Sequence, residues 1–135
     1  MIRPRMGEAH DGLAQWSHEI ISRHVDAAGE ALAEYCAKPK SVRRLHGTRK
    51  RLARLRAVIE DFGRLAGVSR DFADRVRLLQ KRAGKARDAD VLLQRVEAYR
   101  ESATGAEREE LDLLRKRLRK RAERMRRKLA REIRA

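Results

Sequence analysis

The chain has 135 residues, of which 35 are Lys or Arg and 20 are Asp or Glu, so its formal net charge is +15. This length favours one domain, residues 1–135, and the excess of positive charge indicates a polyanionic partner. Hydrophobic residues make up 41% of the chain, which argues against intrinsic disorder. The single cysteine excludes an intramolecular disulfide, and no apolar run is long enough to span a bilayer. We therefore expect one folded, cytoplasmic domain.

Apolar residues recur at helical spacing along the whole chain, and strand-like alternation is absent. The fold class is therefore predicted to be all-α. The predicted helices span residues 8–37, 42–66, 70–101 and 105–134. Four long helices joined by short turns predict an antiparallel four-helix bundle.

The ends of these helices carry local sequence features. Ser41 and Ser69 are predicted to cap the second and third helices, because a serine hydroxyl accepts hydrogen bonds from the first backbone amides of a helix. Gly67 is predicted to end the second helix. Thr104 and Glu107 have the spacing of a capping box at the start of the fourth helix.

The second helix carries charged residues beside its apolar face. A helix advances about 100° per residue, so Arg49 and Arg56 are predicted to point into that face, with His46 flanking them. Burying an unpaired guanidinium is costly, so this face must meet carboxylates or an anionic ligand. On the third helix, Asp88 lies one turn before Leu92, which is predicted to be a core residue. We expect Asp88 to be a buried carboxylate that forms a structural ion pair with Arg49 or Arg56.

Two motifs in this part of the chain occur in a defined order. The first is His46-x-x-Arg49 followed by Arg54-Leu55-Arg56, and the second is Gly84-x-x-Arg87-Asp88-x-Asp90-Val91. This order resembles the CHAD domain family over roughly residues 41–99. The resemblance implies a domain that binds inorganic polyphosphate and is found at polyphosphate granules. Members of that family typically have two four-helix halves, so a chain with one half is expected to form a homodimer.

Arginine and lysine at helical spacing can follow a linear phosphate chain, and the planar guanidinium suits phosphate geometry. Under this interpretation, eight side chains supply a basic groove: His46, Arg49, Lys50, Arg54, Arg56, Lys81, Lys85 and Arg87. The alternatives are a polar core position for His46, internal pairing for Arg49 and Arg56, and a solvated surface for Lys50 and Arg54. Residues 115–134 hold twelve Lys or Arg and two acids, so the fourth helix widens the positive field.

The main alternative partner is nucleic acid, because a chain of this charge binds any phosphate polymer at low salt. The aromatic residues mostly fall on apolar or boundary positions of the helices, so they are predicted to be core residues rather than platforms for bases. These residues are Trp16, Tyr35, Phe62, Phe72 and Tyr99. A glycine-rich phosphate loop and clustered catalytic carboxylates are both missing, so the protein is expected to be non-enzymatic and to need no cofactor. No metal is expected, since the spacing of His10, His18 and His24 does not suit a metal site.

Overall fold

The computed structural model describes residues 6–135, with side chains described from residue 12 onward. Four helices make up the fold: α1 (Met6–Ala37), α2 (Val42–Ala66), α3 (Arg70–Ser102) and α4 (Gly105–Arg134). No strand occurs within residues 6–135, and the prediction of an all-α fold is confirmed. Each helix begins and ends within two residues of its predicted bounds. The side chain of His10 lies outside the described residues.

Each helix packs on the next helix along the chain, and the short turns make neighbouring helices antiparallel. The core joins all four helices, since Leu129 of α4 is fully buried in the same hydrophobic cluster as Tyr35 of α1, Leu45 of α2 and Leu79 of α3. The predicted helical bundle is therefore present. Its core depends on a few large side chains together with several alanines.

The buried face of α2 contains a polar residue, Thr48, beside its leucines. It consists of Leu45, Thr48, Leu52, Leu55 and Gly63. Thr48 is fully buried, and its hydroxyl donates a hydrogen bond of 3.1 Å to the carbonyl of Ala31 on α1, which satisfies this polar group. Because Thr48 belongs to the buried stripe, Arg49 and Arg56 fall on its edge. The prediction that both arginines point into the apolar face is wrong.

The caps of α2 and α3 form as predicted. The hydroxyls of Ser41 and Ser69 accept hydrogen bonds of 3.2 Å from the backbone amides of Arg44 and Phe72. Gly67 ends α2 with φ of 71°, a left-handed conformation that glycine adopts without a steric penalty. The turn from α2 to α3 is therefore set by local sequence.

The predicted capping box at the start of α4 is wrong. The side chain of Thr104 makes no capping hydrogen bond, and Gly105 enters the helix with φ of 63°. Glu107 instead accepts a hydrogen bond of 2.6 Å from the hydroxyl of Tyr99, which raises the pKa of that tyrosine. The Glu107 carboxylate, which would have completed the capping box, therefore bonds to α3 instead.

The last turns of α3 extend past the first residue of α2, since α3 has 33 residues and α2 has 25 and the two share a short turn at their other ends. We call residues 92–117 the α3–α4 arm. Glu97 lies 3.7 Å from both Arg115 and Arg119, and Arg100 bonds to Asp112, which lowers the pKa of that carboxyl. Large apolar side chains are exposed along the arm: Leu92, Tyr99, Leu113 and Leu114.

Candidate anion-binding site

All eight basic side chains that the sequence singled out are accessible to solvent. Arg56 and Arg87 are half-buried. The others are exposed: His46, Arg49, Lys50, Arg54, Lys81 and Lys85. The exposure of His46 excludes its alternative interpretation as a polar core residue.

Arg56 marks the contact between α2 and α3. Its Nε donates to Oε1 of Glu60 at 3.1 Å, and a terminal nitrogen donates to Oε1 of Gln80 on α3 at 3.0 Å. Arg49 lies two turns before Arg56, and Arg87 lies two turns after Gln80. Because the helices are antiparallel, both arginines lie in the same direction from the Arg56–Gln80 contact.

We call the surface formed by His46, Arg49, Arg56 and Arg87 the α2–α3 flank. The small residues Ala53 and Gly84 lie between these cations along the two helices. A Cβ atom at Gly84 would meet no atom within 4 Å, so the surface beside it is open. Arg49 and Arg87 form no ion pair with any described residue, which leaves their guanidinium groups available to an anion.

The other four predicted residues lie away from this flank. Lys50 and Arg54 are on the side of α2 opposite its buried stripe, and Lys81 and Lys85 are on the outer side of α3. Lys85 also lines a cleft of about 350 Å³ between α3 and α4. The eight residues therefore do not converge in a single groove. Their positions around the two helices place some on the flank and the others on the outer faces.

The predicted structural ion pair of Asp88 is wrong. Asp88 is exposed and shares the outer side of α3 with Lys85, and among the described residues it forms no ion pair with Arg49 or Arg56. Leu92, which was expected to mark the buried face, is 42% exposed. The apolar stripe of α3 therefore runs along a different side of the helix.

The buried carboxylate of α3 is Asp90, which is 3% exposed. Both of its oxygens lie 2.6 Å from Nη2 of Arg126 on α4. Asp90 follows Ala83 by seven residues and Ala86 by four, and both alanines are fully buried. This spacing was the feature of the sequence that could have identified Asp90.

Tyr35 lies close to this ion pair and is fully buried. Its hydroxyl has no hydrogen-bond partner among the described residues. Burial raises the pKa of Tyr35 to about 12, and the nearby charge of Arg126 only partly opposes this effect. The core where α1, α3 and α4 meet therefore contains a buried phenol beside a buried ion pair.

The prediction that the aromatic residues are core residues is wrong for three of them. Trp16, Phe72 and Tyr99 are 49%, 38% and 57% exposed. Trp16 packs edge-on against Phe62, with ring centroids 5.4 Å apart, but much of its surface still faces solvent. These rings bear on the nucleic-acid alternative, since exposed aromatic rings can stack on bases.

Two other kinds of site are absent from the described part of the chain. None of its helices is long and apolar enough to cross a membrane. No group of three or more His, Cys, Asp or Glu side chains is arranged to hold a metal ion within that part. The clusters that remain are basic ones.

The fold and the surface define a class of protein: an all-helical, strongly basic domain whose arginines line the flank between two helices. The sequence profile of the CHAD domain matches residues 19–135. The chain therefore belongs to the CHAD domain family, which is known for polyphosphate binding, and the resemblance inferred from the two motifs is confirmed. No curated protein and no solved structure gave a significant match to the chain.

Proposed function

We propose that the chain binds inorganic polyphosphate, without catalysis, through a basic groove centred on the α2–α3 flank. The observation that carries the proposal is the pair of arginines without an ion-pair partner among the described residues, the exposed Arg49 and the half-buried Arg87, beside the Arg56–Gln80 contact. Membership of the CHAD domain family supports a phosphate polymer as the ligand. Neighbouring phosphoryl groups of a linear chain can bind to successive arginines along the flank.

The basic residues contribute unequally to this groove. Arg49 and Arg87 form charge-assisted hydrogen bonds with phosphate oxygens. Arg56 contributes less, because Glu60 and Gln80 already accept hydrogen bonds from it. His46 adds a positive charge when it is protonated. The outer residues raise the local concentration of the polyanion through their field: Lys50, Arg54, Lys81 and Lys85.

The proposal includes a homodimer in the cytoplasm at polyphosphate granules. An isologous contact would bring two copies of the flank to one assembly, and this is the commonest symmetry of small oligomers. The exposed apolar side chains of the α3–α4 arm, such as Leu113 at 62% exposure, offer a surface for that contact. Two flanks in one assembly would bind a long chain more tightly than either flank alone.

A competition titration at near-physiological salt tests the ligand. Labelled long-chain polyphosphate is bound to the protein, and duplex DNA, single-stranded RNA and heparin are added at matched charge. We expect polyphosphate to resist displacement by large charge excesses of all three competitors. Equal competition per charge would contradict the proposal. Preferential displacement by RNA would favour nucleic acid, with Trp16, Phe72 and Tyr99 as the exposed aromatic rings.

Paired variants locate the groove. Arg49→Gln with Arg87→Gln removes the two unpaired arginines of the flank and should weaken polyphosphate binding by about tenfold or more. The matched control is Arg51→Gln with Arg95→Gln, which removes one exposed arginine from each of the same two helices. The control should change the affinity by less than about threefold. Equal losses in both variants would show that binding depends on net charge alone and would overturn the assignment of the flank.

A further inference from the structure

A cleft of about 660 Å³ lies between the α1–α2 turn and the C-terminal half of α4. Lys40 of the turn lines it together with four arginines of α4: Arg126, Arg127, Arg131 and Arg134. Glu123 is the one carboxylate in its lining, which Pro39 and Ala130 complete. We call this feature the α4 cleft. It shares no residue with the α2–α3 flank.

The cations of the α4 cleft differ in their availability. Arg126 is held in place by Asp90, whose buried carboxylate compensates most of its charge. In contrast, Lys40, Arg127, Arg131 and Arg134 form no ion pair with a described residue. Four unpaired cations around one cavity repel one another, and a multivalent anion would relieve this repulsion. Glu123 can compensate one of the four at most.

The spacing and composition of the lining indicate the chemistry of that anion. Arg131 lies four residues after Arg127 and three before Arg134, so the three guanidinium groups follow one side of α4. Guanidinium groups bind phosphate oxygens through two parallel hydrogen bonds. The lining has no aromatic residue on which a base could stack. The volume lies within the range of ordinary ligand pockets and exceeds the needs of a single phosphate ion.

We infer that the α4 cleft is a second phosphate site, which binds a short run of linked phosphoryl groups, with Arg127, Arg131 and Lys40 as the principal contacts. Inorganic triphosphate has the matching charge and length. This site is independent of the proposed function, since it shares no residue with the α2–α3 flank and needs no long polymer. Asp90 acts on it indirectly by fixing the position of Arg126.

Calorimetric titration with inorganic triphosphate at near-physiological salt tests the site. Arg127→Gln with Arg131→Gln should weaken triphosphate binding by about tenfold or more, because two charge-assisted contacts with the ligand are lost. The matched control is Lys116→Gln with Lys120→Gln, two exposed cations of the same helix with the same spacing that lie outside the cleft. This control should change the affinity by less than about threefold. All four substituted residues are exposed, so the variants should keep the fold, which thermal melting followed by circular dichroism verifies.

The flank variant, Arg49→Gln with Arg87→Gln, separates the two sites. We expect it to keep the triphosphate site that the cleft variant loses, although the flank's own contacts with linked phosphoryl groups are gone. No triphosphate binding by the unmodified protein, normal binding by the cleft variant, or equal losses in cleft variant and control would each overturn the inference. If the flank variant alone loses triphosphate, the ligand binds at the flank and the cleft site is wrong. If the flank variant binds long-chain polyphosphate as tightly as the unmodified protein does, the proposed groove is wrong, while the cleft site is unaffected.

Discussion

At the scale of single residues, the ion pair between Asp90 and Arg126 is the most consequential contact. Asp90 is 3% exposed and the Arg126 side chain 16%, so both charges are largely removed from water. Such a pair adds little net stability over an apolar pair, but removal of one partner leaves an uncompensated charge in the core. The contact also joins α3 to α4 at the level of the buried Tyr35. We therefore expect the carboxylate to be far more important to stability than its exposed neighbour Asp88.

Asp90→Asn should lower the free energy of unfolding by about 3 kcal/mol, because Arg126 keeps its charge and loses its counter-ion. Unfolding in urea, followed by circular dichroism, measures this change. The matched control is Asp88→Asn on the same helix, which should change stability by less than about 0.5 kcal/mol because Asp88 is exposed. Similar effects of both substitutions would contradict the assignment of Asp90 as the buried carboxylate.

Tyr35 makes the free energy of unfolding depend on pH in the alkaline range. Its pKa is raised to about 12 in the folded protein, against an ordinary value near 10 when the chain unfolds. Below pH 10 the phenol is neutral in both the folded and the unfolded state, so the free energy of unfolding does not change with pH through this group. As the pH rises from 10 to 12, the unfolded chain loses this proton first, so stability falls by up to about 2 kcal/mol.

Tyr35→Phe should abolish this loss. The stability of the variant relative to the unmodified protein should therefore increase between pH 10 and 12, while lysine titration cancels in the comparison. In a Tyr99→Phe background, Tyr35 is the only tyrosine, and its tyrosinate absorbance should appear near pH 12. A titration midpoint near 10 would show that the phenol is not buried as described.

At the scale of helices, the ends were predictable because they depend on local residues. Ser41, Gly67 and Ser69 fix the ends of α2 and α3 through hydrogen bonds and a left-handed turn that involve only near neighbours. The start of α4 was not predictable in this way. Glu107 binds Tyr99 of the preceding helix, a contact that depends on how the two helices pack.

Which side of each helix faces the core was harder to predict than where the helix begins and ends. On α3 the large residue Leu92 suggested the buried side, whereas the stripe that is buried contains Ala83, Ala86 and Asp90. Alanine is a weak indicator because it occurs on both faces of helices. The resulting error of two residues made Asp88 the expected carboxylate in place of Asp90. On α2 the buried Thr48 had the same effect on Arg49, because a polar residue was not counted in the stripe.

The two basic surfaces also differ in how much of each could be predicted from the sequence. The α2–α3 flank combines residues of adjacent helices whose order is visible in the motifs around His46 and Arg87. The α4 cleft requires Lys40 of the α1–α2 turn to approach Arg127 and Arg131, which are far away in sequence. The run of cations in residues 115–134 was visible, but only the fold divides it into those that line the cleft and those that face solvent.

At the scale of the whole molecule, a net charge of +15 opposes self-association. A dimer must therefore gain enough from apolar contact to offset the repulsion. The α3–α4 arm offers that contact, because Leu92, Tyr99 and Leu113 are exposed by 42%, 57% and 62%. A bound polyanion would reduce the repulsion further. Association should thus be stronger in the presence of polyphosphate than in its absence.

We expect light scattering coupled to size-exclusion chromatography to give a mass of twice 15.6 kDa with polyphosphate bound, after subtraction of the polymer. Leu92→Glu with Leu113→Glu places carboxylates on the arm and should return the protein to a monomer, because burying these charges costs more than the apolar contact contributes. The control is Leu13→Glu, which changes a leucine near the start of α1 that is 43% exposed. It lies outside the arm and should leave the dimer intact. A monomeric mass for the unmodified protein at high concentration, or a dimer that persists in the arm variant, would exclude the arm as the dimer interface. The flank would then have to bind its polyanion as a single copy.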